Sequence, residues 1–301
     1  MQTVFSKPGK FWRGNLHAHS TNSDGKWSPQ AVYDMYQAAG YDFMAITDHF
    51  KPQYNWPITD TTAFRTPHFT TLIGAELHTD GMEFNNGWHL VALGLPFDFA
   101  PTQTGETGFE LAQRALKAGA FVIAAHPQWY AMTEADFLSL GDIHAVEVFN
   151  AGVGHDTDTA ESTYMLDLML ARGKRIFACA TDDAHFNPNA RDRLMGWVMV
   201  KSEELSPRSI LESLKRGDFY ASTGPEILNI EVVPGHTLYV RCSPAHHIYA
   251  LGRPIEFMSV NQDCITEAEF SLKDWRSPYV RVLVRDESHR KAWSNPIWFD
   301  V

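Results

Sequence analysis

The chain has 301 residues, enough for one large domain or two unequal ones, and its 44% hydrophobic and 13% aromatic content is that of a globular protein with a sizeable core. Its 25 Lys and Arg against 36 Asp and Glu leave a formal charge of −11, which argues against nucleic acid as a bulk partner. A small phosphorylated substrate stays open, because bound metal ions can invert the local charge. Three widely spaced cysteines, Cys179, Cys242 and Cys264, form no CxxC pair and speak against a disulfide framework. The N-terminal MQTVFSKPGKFW has no signal-peptide apolar region, and no apolar run reaches membrane-spanning length, so a cytoplasmic protein is expected.

In chain order, the first strand is FWRGNLH at 11–17, ending in the pair His17 and His19 with Asp24 just beyond. In an extended segment side chains two apart share a face, so the two imidazoles can reach one metal ion. The segment 28–40 reads as a helix with Ser28 as N-cap, Pro29 in the first turn and Gly40 as stop. Strand FMAIT (43–47) runs into Asp48 and His49, and TLIGAE (71–76) ends in Glu76. HLVALG (89–94) opens with His89, and helix 108–119 stops at Gly119. FVIAA (121–125) precedes His126, and AVEVF (145–149) precedes Asn150. Helix 163–173 stops at Gly173, and IFACAT (176–181) precedes Asp182, Asp183 and His185. Helix 206–217 repeats the Ser-Pro start and Gly stop.

Apolar strands alternating with helices predict a parallel sheet buried on both faces. About seven such units suggest a barrel related to the (β/α)8 type, whose active sites lie at the strand C-termini. From about Ile227 the pattern changes to strands and turns: 227–235, 237–243, 246–252, 267–272 and 279–286. This predicts a small antiparallel β-domain over 225–301, after a first domain over 1–224 joined to it at Ser222–Glu226.

Nine candidate metal ligands follow: His17, His19, Asp24, His49, Glu76, His89, His126, Asp183 and His185. All offer imidazole nitrogen or carboxylate oxygen and none a thiolate, which suits Zn, Mn or Fe(II). His89 opens its strand, so a neighbouring loop is needed to bring it in. A single buried histidine is more often a satisfied core residue than a ligand. Six of the 14 histidines, however, recur at strand ends in HxH and DxH spacings with acidic partners. The other eight, His68, His78, His144, His155, His236, His246, His247 and His289, read as ordinary core or surface residues.

The order of these motifs resembles the PHP (polymerase and histidinol phosphatase) family of metallohydrolases. The likeness is carried by Leu-His-Ala-His-Ser at 16–20, Ile-Thr-Asp-His at 46–49, Gly-Ala-Glu at 74–76, His89, Ala-His-Pro at 125–127 and Asp-Ala-His at 183–185. The segments Phe-Tyr-Ala-Ser-Thr-Gly-Pro at 219–225 and Ala-Trp-Ser-Asn-Pro at 292–296 resemble a subgroup with an appended β-domain. The resemblance implies a distorted (β/α)7 barrel with two or three divalent ions. It also implies their ligands: His17, His19, Glu76 and Asp183 for one ion, Glu76, His89 and His126 for a second, and Asp24, His49 and His185 for a third. Asp24 stands where some relatives have histidine.

The expected chemistry is metal-assisted hydrolysis by a water shared between two ions beside Glu76 and Asp183. Asp182 and Asp48 are expected outside the ligand set, as residues that orient a histidine. A phosphate ester of a small metabolite or nucleotide is the first choice of substrate, with Arg191 and Arg193 as candidate phosphate contacts and Asn150 and His155 as candidate pocket residues. Each has an ordinary alternative: solvated loop arginines, a helix cap for Asn150 and a surface position for His155. Trp27, Trp88 and Trp129 flank ligand segments, for stacking or for core packing. Two other classes remain open: a metallohydrolase of an amide, carbamate or carboxylic ester bond, and a non-catalytic metal-binding module whose β-domain binds a partner. No oligomeric state is implied.

Overall fold

The computed structural model describes residues 1–299. Strands β1 (Lys10–Asn15), β2 (Phe43–Ile46), β3 (His49–Phe50), β4 (Thr70–Thr79), β5 (Trp88–Leu93), β6 (Phe121–Ala124), β7 (Ala145–Asn150) and β8 (Phe177–Thr181) make the first half of a mixed α/β architecture. Six helices accompany them: α1 (Pro29–Ala38), α2 (Gly108–Lys117), α3 (Glu134–Ser139), α4 (Ala151–Thr157), α5 (Thr163–Ala171) and α6 (Pro207–Arg216). Ser28 caps α1 by accepting a hydrogen bond from the Ala31 amide, Pro29 fills the first turn, and Gly40 beyond it has φ +78°. Gly217 ends α6 at φ +73°, and a Cβ there would lie 2.3 Å from the Phe177 ring.

The sheet runs from β4 through β2 to β1 in parallel, and from β6 through β7 to β8 in parallel. Strands β2 and β6 are buried at every position, as near-continuous apolar runs require. Strand β5 departs from the expected pattern by running antiparallel to both β4 and β6. The connection 80–87 is too short for a parallel crossover, which takes a dozen or more residues.

The distorted (β/α)7 barrel implied by the family resemblance is not confirmed, because the hydrogen bonding does not close the sheet. Strand β9 (Trp197–Ser202), absent from the sequence expectation, pairs antiparallel with β1 and takes the edge that β8 would need for closure. The sheet is therefore open. Past the end of β1, a single parallel bridge between Ala18 and Ala184 crosses the gap. It is held by hydrogen bonds from the Asp183 amide to the His17 carbonyl and from the His19 amide to the Ala184 carbonyl, both 2.9 Å.

The same sheet continues through β10 (Phe219–Ser222) into β11 (Ile227–Val233), β12 (Thr237–Leu251), β13 (Phe257–Ser271), β14 (Tyr279–Arg285), β15 (Lys291–Ser294) and β16 (Ile297–Trp298). Here the pairing is antiparallel, with alternating burial along β11 and β12. The two short strands expected over 237–252 are one strand, which passes Pro244 through register shifts between Arg241 and His247. Cys179 and Cys242 are buried and Cys264 is exposed, all as free thiols. Among the described residues no helix is long and apolar enough to cross a membrane.

Asn295 joins the two halves. Its Nδ2 donates to the carbonyls of Gly217 and Phe219 at 3.1 and 3.0 Å, and its Oδ1 accepts from the Ala178 amide at 2.9 Å. Replacing it by alanine leaves these buried backbone groups without their partner, at about 1–3 kcal/mol each where water cannot enter. Asn295→Ala is expected to lower the unfolding free energy by about 2–4 kcal/mol in denaturant titration. A change below about 0.5 kcal/mol contradicts this role.

Candidate metal centre

The nine ligand candidates converge at the C-terminal ends of the parallel strands. His17 and His19 follow β1 on the Ala18–Ala184 bridge, with their Nε2 atoms 3.2 Å apart. Asp183 Oδ1 lies 2.9 Å from His19 Nε2 and 3.2 Å from His17 Nε2. Strand β3 sets His49 beside Glu76 of β4 in parallel register. His89 needs no loop to bring it in: because β5 runs antiparallel, its first residues lie beside the last residues of β4, with His89 opposite His78. His126 follows β6, its Nε2 3.4 Å from Glu76 Oε1. Asp24 bridges outward, with Oδ2 3.3 Å from His49 Nε2 and Oδ1 3.5 Å from His185 Nε2.

Glu76 is the hub, at 1% exposure. Its Oε1 is 2.7 Å from His89 Nδ1. Its Oε2 is buried without a well-formed hydrogen bond. Yet Oε2 has imidazole nitrogens around it: His49 at 2.5 Å, His78 at 3.5 Å, His19 at 3.6 Å and His17 at 3.7 Å. A buried carboxylate with imidazole nitrogens converging on it fits a divalent cation, and the all-nitrogen-and-oxygen donor set fits Zn, Mn or Fe(II). Three donor groups each lie within 4.8 Å: His17, His19 and Glu76; His19, Asp24, His49 and His185; and His49, Glu76, His78 and His89.

Two site residues escaped sequence reasoning. Glu147, buried in β7, accepts from Thr181 Oγ1 and the His126 amide and lies 2.7 Å from His17 Nδ1. A charged residue inside the apolar run AVEVF was the signal, since such a group is rarely buried unless paired. His78, placed above among the ordinary histidines, enters the third donor group. It stands two residues after Glu76, the same spacing that made His17 and His19 conspicuous.

The remaining candidates sit around this cluster. Asn150 is buried: it caps α4 and donates to Glu147 Oε2 at 2.8 Å and Asp183 Oδ2 at 3.2 Å. Asp48 accepts from the Ser20 amide, Ser20 Oγ, Ser23 Oγ and Thr59 Oγ1, and so fixes the loop carrying Asp24. Asp182 accepts from Tyr36 and the amides of Leu194, Met195 and Gly196. Both carboxylates therefore hold loops in place, with no direct bond to a histidine. Arg193 pairs with Asp192 at 3.3 Å and lies over Trp27, which stacks on Phe186. The Arg191 amide donates to His155 Nδ1 at 3.4 Å. Trp88 is buried, and exposed Trp129 sets an edge against His126. A cavity of about 1320 Å³ opens on the His78 and His89 side, walled by Phe50, Trp56 and Trp88, with Lys51 and Asp80 at its rim.

Charge balance governs the metal-free state. Burial alone would raise Glu76, but the surrounding imidazoles, His89 and His49 first, hold it well below the ordinary carboxyl range. Burial opposes a charge on His49 too, yet Glu76 and Asp24 outweigh it and raise His49 to about 10. His17 is likewise held high against burial by Asp183 and Glu147. Burial wins at His19 and His78, each lowered to about 4.

No family model and no curated protein matches the sequence. Among solved structures, a two-domain protein from Bacteroides vulgatus containing a predicted PHP-like metal-dependent phosphoesterase matches at 15% identity and TM-score 0.54, over 93% of each chain. A protein from Bifidobacterium adolescentis, described as a candidate metal-dependent phosphoesterase, matches at 15% identity and TM-score 0.44, over 66% of this chain and 96% of its own. An amidohydrolase from Chromobacterium violaceum, with sulfate and no metal, matches at 17% identity and TM-score 0.43, over 57% of this chain and 87% of its own. The first likeness establishes a fold shared with that two-domain protein.

The raised histidines set a pH dependence. His49 has a folded value of about 10 against an ordinary 6.5, so its proton stabilises the metal-free fold fully below 6.5 and is lost as pH rises towards 10. Thermal melting of the chelator-treated protein is expected to fall steadily between about pH 7 and 9. A melting temperature that holds or rises across that window contradicts the assignment.

Proposed function

We propose that this chain is a metal-dependent phosphoesterase that hydrolyses a small phosphorylated metabolite or nucleotide. The observation that carries the reading is Glu76: a buried carboxylate among converging imidazoles, beside a cavity large enough for a small substrate. The shared fold with a protein that contains a predicted PHP-like metal-dependent phosphoesterase supports the same class. The residues that would hold two or three divalent ions are His17, His19, Glu76 and Asp183 for one, Glu76, His89 and His126 for a second, and Asp24, His49 and His185 for a third. Such ions supply a Lewis acid for a phosphoryl oxygen and lower the pKa of water near neutral pH. Residues 1–224 would carry this chemistry, and residues 225–301 would form the appended β-part.

The side chains of this chain have separable tasks. Glu147 fixes the His17 ring through Nδ1, leaving Nε2 turned into the cluster, and holds the His126 backbone at the same time. Asn150 holds one oxygen of Asp183 and leaves the other facing His17 and His19. Tyr130 packs on His126 and His89 with a buried, unpartnered hydroxyl, a free donor at the wall of the site. Lys51, at the cavity rim, is the cation best placed to meet an incoming phosphate.

Assayed with Zn(II), Mn(II) and Fe(II) on phosphate mono- and diesters, amides, carbamates and carboxylic esters, the protein is expected to turn over phosphate esters. Turnover confined to carbonyl substrates overturns the phosphoester reading, and inactivity of the metal-loaded protein on the whole panel favours a binding module. His17→Ala and Asp183→Ala are each expected to lose metal and at least about 100-fold in kcat together. Full metal content in both variants defeats the ligand assignment.

A further inference from the structure

We propose that His78 is a metal ligand, completing with His49, Glu76 and His89 a four-donor site on the cavity side of the cluster. This rests on the metal-dependent reading above and adds a residue that the family resemblance leaves out. The donor atoms of the four residues all lie within 4.8 Å of one another. His78 Nε2 is 2.9 Å from His49 Nδ1 and 3.5 Å from Glu76 Oε2.

Three neighbouring strand segments build the set. Glu76 and His78 lie two apart on β4 and share a face, β3 sets His49 against Glu76, and antiparallel β5 sets His89 against His78. The rings of His78 and His89 meet edge to face with centroids 4.0 Å apart. A histidine kept only for packing would use both ring nitrogens on protein partners. His78 does not: Nδ1 is buried with no partner, and its polar contacts, to His49 and Glu76, are both made by Nε2 within the cluster. Three imidazoles and one carboxylate suit Zn(II), Fe(II) or Mn(II) better than Mg(II) or Ca(II).

The set shares Glu76 with the His17 and His19 group, and His49 with the Asp24 and His185 group. His49 faces the outer group with Nε2, 3.3 Å from Asp24 Oδ2, and the cavity-side set with Nδ1, 2.9 Å from His78 Nε2. The cavity-side set also stands at the wall of the large cavity, where a substrate would enter.

The test uses the full chain, stripped with a chelator, reloaded with Zn(II) or Co(II) and freed of excess metal. Metal is counted by mass spectrometry for the wild type, His78→Ala and His78→Gln, with the exposed His68→Ala as control. Both His78 variants are expected to hold one equivalent less than the wild type and to lose part of the Co(II) visible absorption, while His68→Ala matches the wild type. Wild-type stoichiometry and an unchanged Co(II) spectrum in both His78 variants overturn the proposal. Should neither variant fold, anomalous diffraction from wild-type crystals grown with Zn(II) decides: an ion about 2.0–2.1 Å from His78 Nε2 supports it, and ions at the other donors with none at His78 overturn it. A wild type that retains no metal overturns the metal-dependent reading itself, which separates the two failures.

Discussion

The structure around the strand ends is organised by one constraint: a buried carboxylate must be compensated. Glu76 sits at 1% exposure in the middle of the sheet's C-terminal edge, with Asp183 and Glu147 buried nearby. Ionised carboxylates cannot remain there alone, because the cost of removing such a charge from water is several kcal/mol even after relaxation. Histidines are the available answer in two senses. Protonated, the form the neighbouring carboxylates favour at His17 and His49, they act as counter-ions. Neutral, they offer lone pairs, and a divalent cation then supplies the compensating charge. The same side chains thus serve two states, which couples metal content to stability and to pH.

Topology delivers those side chains. The parallel strands bring His17, His19, His49, Glu76, His126 and Asp183 to one end because they share a direction. Antiparallel β5 contributes from its first residues for the same geometric reason in reverse. Where β9 occupies the edge of β1, the Ala18–Ala184 bridge joins the two flanks of the sheet. That bridge carries His17 and His19 on one side and Asp183 and His185 on the other. The seam left by an unclosed sheet is therefore the place where the ligand groups meet.

Much of this was legible in the sequence, and the failures have physical causes. Strand ends bearing His or Asp after apolar runs were readable, since burial on both faces leaves a continuous hydrophobic signal. The direction of β5 was readable in principle from the short connection 80–87, but the expectation of regular crossovers overrode it. Strand β9 lacks the continuous apolar run of the parallel strands: WVMVKS alternates buried and partly buried positions, the period of an antiparallel strand. His78 and Glu147 are hidden by context rather than by chemistry: each lies inside a strand, without the strand-end position that marks the other donors. The loop-holding roles of Asp48 and Asp182 depend on backbone amides far along the chain, which no spacing rule encodes.

Two of the candidate ligands are among the residues with left-handed backbone. His126 and Asp183 have φ of +31° and +51°, left-handed conformations that cost a non-glycine residue roughly 1–2 kcal/mol. Such strain persists only where the surroundings over-determine it. At Asp183 the amide is held by the His17 carbonyl and the side chain by Asn150. At His126 the amide is held by Glu147, the same carboxylate that orients His17. One buried acid therefore fixes a ring on the β1 side of the cluster and a strained backbone on the β6 side. Removing its charge would release both at once, so the two flanks of the site cannot be tuned independently. A fold that spends stability on two strained ligand positions, and secures both through partners inside the cluster, is organised around keeping those donors in place.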